Sequence, residues 1–120
     1  MIIKNGEYAR SVDVHKRGGE GEFKVETILT REEMGQSGRL FVRGTLEKGH
    51  SVGMHPHIGD TEVCYFLQGE GLVREDNGVE TIVHAGDTNI VPSGCSHEII
   101  SIGEEPLVYL AVVVFPEGKK

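Results

Sequence analysis

Apolar and polar residues alternate in short runs along most of this chain, and glycines and other turn residues separate the runs. Residues 23–29 (FKVETIL) alternate with the period of two that a half-buried strand imposes. Leu40, Val42 and Leu46 alternate with Phe41, Arg43 and Thr45, and residues 62–68 (EVCYFLQ) form the next run. Further runs cover 72–75, 79–83, 88–91, 97–102 and 107–115. Asp76-Asn77-Gly78 lies between two of them and predicts a hairpin, because Asn and Gly accept the positive φ of a tight turn. Thr30 stands three residues before Glu33, the spacing of a capping box, so one helical turn is expected at 30–34 before Gly35 and Gly38 break it. Residues 1–22, with HKRGGEGE at 15–22, carry little periodicity and read as an arm or irregular lead-in. Many short strands without a long helical pattern predict an all-β sandwich or barrel.

A length of 120 residues gives one domain and one core. The expected division is an arm with the first strands at 1–35, a barrel at 36–116 and a polar tail at 117–120. The 17 glycines suit many tight turns. A net charge of −7 repels phosphate backbones and anionic lipid, so neither nucleic acid nor membrane is expected as a partner. The longest apolar run, 107–115, is far too short to cross a bilayer, and the first residues lack the apolar core of a secretory signal. A cytoplasmic location is the expectation. Cys64 and Cys95 are too few for a disulfide scaffold and read as free thiols.

The chemistry concentrates in four residues. His55 and His57 flank Pro56, and side chains two apart on a strand point to the same side. Glu62 opens the following strand after a turn at Gly59-Asp60 and can return its carboxylate to the same point. His97 comes from a later strand and is expected to close the set from across the barrel. Three imidazoles and one carboxylate suit one divalent transition metal (Mn, Fe, Co, Ni or Zn) and not Ca or Mg, which prefer oxygen. Four protein ligands in an octahedral field leave two positions for a small molecule. His84 and His50 read as turn histidines and His15 as a surface one.

These residues carry a family resemblance. Residues 49–69 (GHSVGMHPHIGDTEVCYFLQG) resemble the first cupin motif at Gly49, His55, His57, Glu62 and Gly69. Residues 86–101 (GDTNIVPSGCSHEIIS) resemble the second at Gly86, Pro92, Gly94 and His97; the motif's final Asn is Ser101 here. The resemblance implies a double-stranded β-helix, the jelly-roll cupin barrel of six to eight strands, with the metal near one mouth. It also implies a homodimer, with residues 1–29 available to be lent to the neighbour.

With Glu62 facing inward, Cys64, Phe66 and Gln68 share its side, and Ile99 and Ser101 share that of His97. These five are the expected pocket wall. Asp60 and Arg43 are the candidate catalytic side chains: Asp60 as an acid or base at the mouth, Arg43 as a carboxylate clamp only if its strand turns that face inward. The pattern looks like small cupins of the oxalate-decarboxylase or sugar-isomerase kind. A metalloenzyme acting on a small carboxylate or sugar acid through Lewis-acid catalysis is the expected function, as decarboxylase, isomerase or dioxygenase. The alternative is a metal-dependent binding or sensor module without turnover. Neither a second cupin domain nor DNA-binding helices are evident, so a two-domain oxalate decarboxylase or a transcription regulator is not expected.

Overall fold

The computed structural model describes residues 1–116; the expected tail at 117–120 lies outside the described residues. Ten strands are present among them: β1 (Ala9–Val14), β2 (Glu22–Leu29), β3 (Gly38–Leu46), β4 (Ser51–Pro56), β5 (Thr61–Gln68), β6 (Glu70–Glu75), β7 (Glu80–His84), β8 (Thr88–Val91), β9 (Ser96–Ser101) and β10 (Leu107–Val114). They form a six-stranded sheet, β1-β2-β3-β10-β5-β8, facing a four-stranded sheet, β4-β9-β6-β7. Every pairing is antiparallel. This is a single-domain jelly roll, as the alternation predicts. The eight strands from Gly38 to Val114 make the expected barrel, and β1 and β2 extend one sheet beyond it.

The lead-in is not irregular. Residues 9–14 pair with β2 of the same chain, from Ala9↔Thr27 to Val14↔Glu22. The strand is at a sheet edge and mostly exposed, with Val12 51% and Val14 61% accessible. Its apolar residues therefore sit on the wet face, and no buried alternation marks it. A single helical turn, α1 (Arg31–Met34), starts where the capping box places it. Thr30 Oγ1 accepts from the Glu33 amide at 3.1 Å and Glu33 Oε1 accepts from the Thr30 amide at 2.9 Å. Such a cap contributes about 1 kcal/mol.

Register decides what fills the barrel. One inward row runs Val42–Ala111–Cys64–Asn89 across β3, β10, β5 and β8. The next runs Gly44–Tyr109–Phe66. Gly44 is required there: a Cβ would sit 2.3 Å from the Phe23 ring. The ring stacks on Tyr109 at 5.8 Å, and Tyr109 in turn meets Phe66 at 5.3 Å. Val52, Val73 and Ile99 close this core from the other sheet. The aromatic plug makes one end of the barrel solid and leaves the other end open.

Two features displace expected residues. A bulge in the β5–β10 ladder pairs Val108 with Gln68 but Tyr109 with Phe66, skipping Leu67. One extra residue breaks the period of two, so Gln68 turns to solvent and donates to the Pro106 carbonyl at 3.2 Å. Arg43 lies on the outer face of β3 and donates twice to Glu26 Oε1, at 2.9 and 2.7 Å. It is a surface ion-pair partner between strands and has no place in the barrel mouth.

Candidate metal centre

The open end of the barrel holds His55, His57, Glu62 and His97, all buried, with one donor atom from each lying within 4.8 Å of the others. Metal–nitrogen bonds of about 2.0–2.1 Å would place neighbouring donors roughly 3–4 Å apart. The three imidazole rings form a nearly regular triangle. Their centroids are 5.2, 4.7 and 5.4 Å apart, with interplanar angles of 65°, 60° and 64°.

The strands supply this set differently from the expectation. His55 on β4 and His97 on β9 are directly opposed in one ladder, so His97 is a neighbour and not a residue from across the barrel. Glu62 on β5 is the ligand that arrives from the facing sheet. His57 sits just past β4; its amide donates to the Cys95 carbonyl at 2.9 Å, and its carbonyl accepts from Gly94 at 2.7 Å. The turn at 92–95 that begins with Pro92 is thereby tied to the His57 backbone. The motif glycines Gly49, Gly69, Gly86 and Gly94 all occupy left-handed turns, with φ of 83°, 87°, 95° and 91°.

Each ring is held by its far nitrogen. His55 Nδ1 donates to the Gly53 carbonyl at 2.7 Å, His57 Nδ1 to Asp60 Oδ1 at 2.8 Å, and His97 Nδ1 to Asn89 Oδ1 at 2.7 Å. A proton fixed on Nδ1 leaves Nε2 with a free lone pair, the form that binds a metal. The Nε2 atoms of His57 and His97 are buried without a hydrogen-bond partner. Yet Glu62 Oε1 is 3.3 Å from one and 2.7 Å from the other. With the proton on Nδ1, each Nε2 has none to give a carboxylate oxygen, so these contacts set acceptor against acceptor. Two imidazole lone pairs and a carboxylate oxygen held this close together are an arrangement that a shared cation would reconcile. The residues present fit a first-row divalent ion.

Electrostatics agree with this arrangement. Burial pushes His55 down to about 4, with the Gly53 carbonyl opposing, so it stays neutral and ready to ligate. The contact with Glu62 raises His57, against burial and with help from Asp60. Burial pushes Glu62 up, but His57 and His97 outweigh it and hold the carboxyl well below its usual range. Asp60 is likewise pushed up by burial and brought lower overall by Arg39 and His57.

Asp60, the candidate acid or base, lies buried behind His57 and not free at the mouth. It is only 5% exposed and bridges His57 to Arg39, whose Nε donates to Oδ2 at 2.8 Å. This bridge fixes the orientation of the His57 ring. Asn89 accepts in the same way from His97; that contact depends on how β8 and β9, in facing sheets, come together, whereas the Asp60–His57 contact is made three residues apart in the stretch before β5.

Beside the four ligands lies a cavity of about 240 Å³. Of the expected wall residues only Ile99 lines it. Cys64, Phe66 and Ser101 face inward as their parity predicts but are fully buried in the packed end below. The polar wall comes instead from segments the motifs do not cover: Asp13, Lys16 and Arg17 near the end of β1, and Arg39 at the start of β3. His84 pairs with Glu70 on the surface, His50 accepts from the Glu22 amide and His15 bonds the Gly19 carbonyl; none belongs to the four-residue cluster.

Known proteins resemble this chain closely. A family model described as Cupin domain matches residues 42–113. An oxalate-binding protein from Thermotoga maritima is 40% identical over 114 residues, 95% of this chain and 93% of that protein. The crystal structure of a predicted oxalate decarboxylase from the same organism superposes with a TM-score of 0.91 at 36% identity, covering 96% of this chain and 99% of that one. The polyketide cyclase RemF from Streptomyces resistomycificus superposes with a TM-score of 0.79 over 100% of this chain and 84% of its own, at 15% identity, a likeness of fold.

Proposed function

The chain belongs to the cupin family, and from that premise we propose that its His₃Glu site holds one divalent transition metal and through it binds a small carboxylate of the oxalate class. The observation that carries this reading is the set of three Nδ1–H bonds, which leaves three imidazole lone pairs beside one carboxylate. When bound, the ion supplies a Lewis-acid centre to which vicinal carboxylate or keto oxygens can chelate. The chain's own part is to keep His55 neutral and to orient His57 through Asp60 and His97 through Asn89. Oxalate is named here because a relative of 40% identity is an oxalate-binding protein.

Turnover is the second reading, and one observation favours it. A decarboxylase, an isomerase or a dioxygenase needs a proton delivered or removed beside the metal. Asp13 is the carboxyl group on the cavity wall outside the ligand set, and it lies 3.4 Å from Lys16. That pair can hold or pass a proton at the mouth.

Calorimetric titration of manganese-loaded and metal-free protein with oxalate tests the binding. Saturable binding by the loaded form alone is expected; equal binding by both forms, or none, overturns the proposal. Incubation of the loaded protein with oxalate, 2-oxo acids, uronates and diketones, followed by product analysis, then separates enzyme from binding module.

A further inference from the structure

The cavity beside the ligands has two kinds of wall. Its charged residues are the more exposed ones. Asp13 and Lys16 are half-exposed and lie 3.4 Å apart, Arg17 is exposed, and Arg39 is fixed by Nε on Asp60 at 2.8 Å. The buried wall is hydrocarbon. Phe23, Val25, Val42, Val52, Ile99 and Ala111 all line the same cavity and are all buried. Tyr109 is the one buried lining residue outside the ligand set that carries a polar group, and its ring packs against both Phe23 and Phe66.

Strand register joins this wall to the metal ligands. Val52 and Ile99 are opposed in the β4–β9 ladder, the ladder in which His55 opposes His97. Ile99 is therefore one same-face step from His97, roughly 7 Å along the strand. On the facing sheet Val42 and Ala111 are opposed between β3 and β10. Ala111 in turn opposes Cys64, one same-face step from Glu62. A molecule chelated at the four donors thus meets hydrocarbon from both sheets within a single strand step. The space suits more than a chelating unit. The cavity holds about 240 Å³, whereas an apolar cavity of about 150 Å³ already binds benzene. Oxalate has no carbon beyond its two chelating groups to set against Val42, Val52, Ile99 and Ala111.

Building on the proposed metal-chelating function, we infer that the preferred ligand is a 2-oxo acid with a branched apolar substituent. Its keto and carboxylate oxygens meet the metal, and its hydrocarbon group lies between the Val42–Ala111 and Val52–Ile99 pairs. Each methylene transferred from water to such a wall raises affinity about four-fold.

The test is calorimetric titration of the manganese-loaded protein with 4-methyl-2-oxopentanoate and with pyruvate, which share the chelating unit and differ by three carbons. The branched acid is expected to bind at least ten-fold more tightly and with a more negative heat-capacity change, the mark of apolar burial. In the zinc-loaded protein, which is diamagnetic, its methyl protons are expected to show nuclear Overhauser contacts to the methyl groups of Val42, Val52 and Ile99. Ala111→Leu places three further carbons in that space and is expected to abolish the preference; if that variant does not fold, the Overhauser contacts decide the location. Equal affinity of wild type for the two acids, absence of those contacts, or a preference that survives in folded Ala111→Leu overturns the inference. Metal-dependent oxalate binding in the same protein leaves the chelating function standing. Failure of both acids and of oxalate to bind the loaded protein overturns both.

Discussion

Replacing Asp60 by alanine isolates how far a metal site depends on what holds its ligands. Asp60 is buried and accepts from His57 Nδ1 and from Arg39 Nε, each at 2.8 Å. Without it, His57 loses the acceptor that fixes both its ring orientation and the proton on Nδ1. Loss of such a partner lowers metal affinity by about 10–100-fold, or roughly 1.4–2.8 kcal/mol. The metal-free fold weakens as well. A buried donor left unsatisfied costs about 1–3 kcal/mol; Arg39, at 28% side-chain exposure, can turn to water, which places the expected loss near the lower end. Asp60→Asn keeps an acceptor for His57 while removing the charge opposite Arg39, so it should lose less than ten-fold in affinity. The assay is competition for manganese against a chromophoric chelator at pH 8, where protons compete least, with thermal melts of the metal-free proteins alongside. The expected affinity order is wild type, Asp60→Asn, Asp60→Ala. An Asp60→Ala protein that binds manganese as tightly as wild type would refute the claim that His57 is positioned through Asp60.

Other outcomes follow from the same geometry. Asn89→Leu removes the acceptor of His97 Nδ1 and should weaken metal binding about ten-fold, read in the same competition assay. Metal affinity should rise with pH through the region above 6.5 and then level off, because raised His57 keeps its proton to higher pH and must release it on binding. His55, at about 4, does not compete in that window. Calorimetry at pH 6.5 in buffers of different ionisation enthalpy should therefore count more than half a proton released; release that does not fall by pH 8.5 would contradict the assignment. Gly53→Ala should destabilise the fold by about 1–3 kcal/mol, seen as a lower melting temperature, since its Cβ meets backbone on the turn after β1.

Much of the architecture is legible in the residues themselves. Period-two alternation marks the barrel strands, the Asp76-Asn77-Gly78 turn joins β6 to β7, and Thr30 and Glu33 announce their own cap. The four clustered donors are legible because their spacing is local at His55, His57 and Glu62 and is completed by one later histidine. What escapes is whatever depends on pairing between distant strands. Asn89 acquires its role only when β8 comes to face His97, and Asp60, though just three residues from His57, only when the bend before β5 turns its carboxylate back onto that ring. Arg17 and Arg39 reach the cavity from outside the recognisable motifs, whereas Arg43, near Arg39 in sequence, faces the other way. Parity places Cys64, Phe66 and Ser101 on the inner side but does not say that the barrel is solid at their depth, and a single skipped residue at Leu67 sends Gln68 to the surface.

Cobalt titration of the metal-free protein addresses the four-donor site most directly, because the ligand-field absorption of Co(II) reports both stoichiometry and the atoms around it. One equivalent per chain should develop a spectrum characteristic of nitrogen and oxygen donors, and separate His57→Ala, Glu62→Gln and His97→Ala variants should each weaken its formation at least ten-fold. A spectrum that forms unchanged in those variants, or no saturable binding in the wild type, would contradict a metal centre at this end of the barrel.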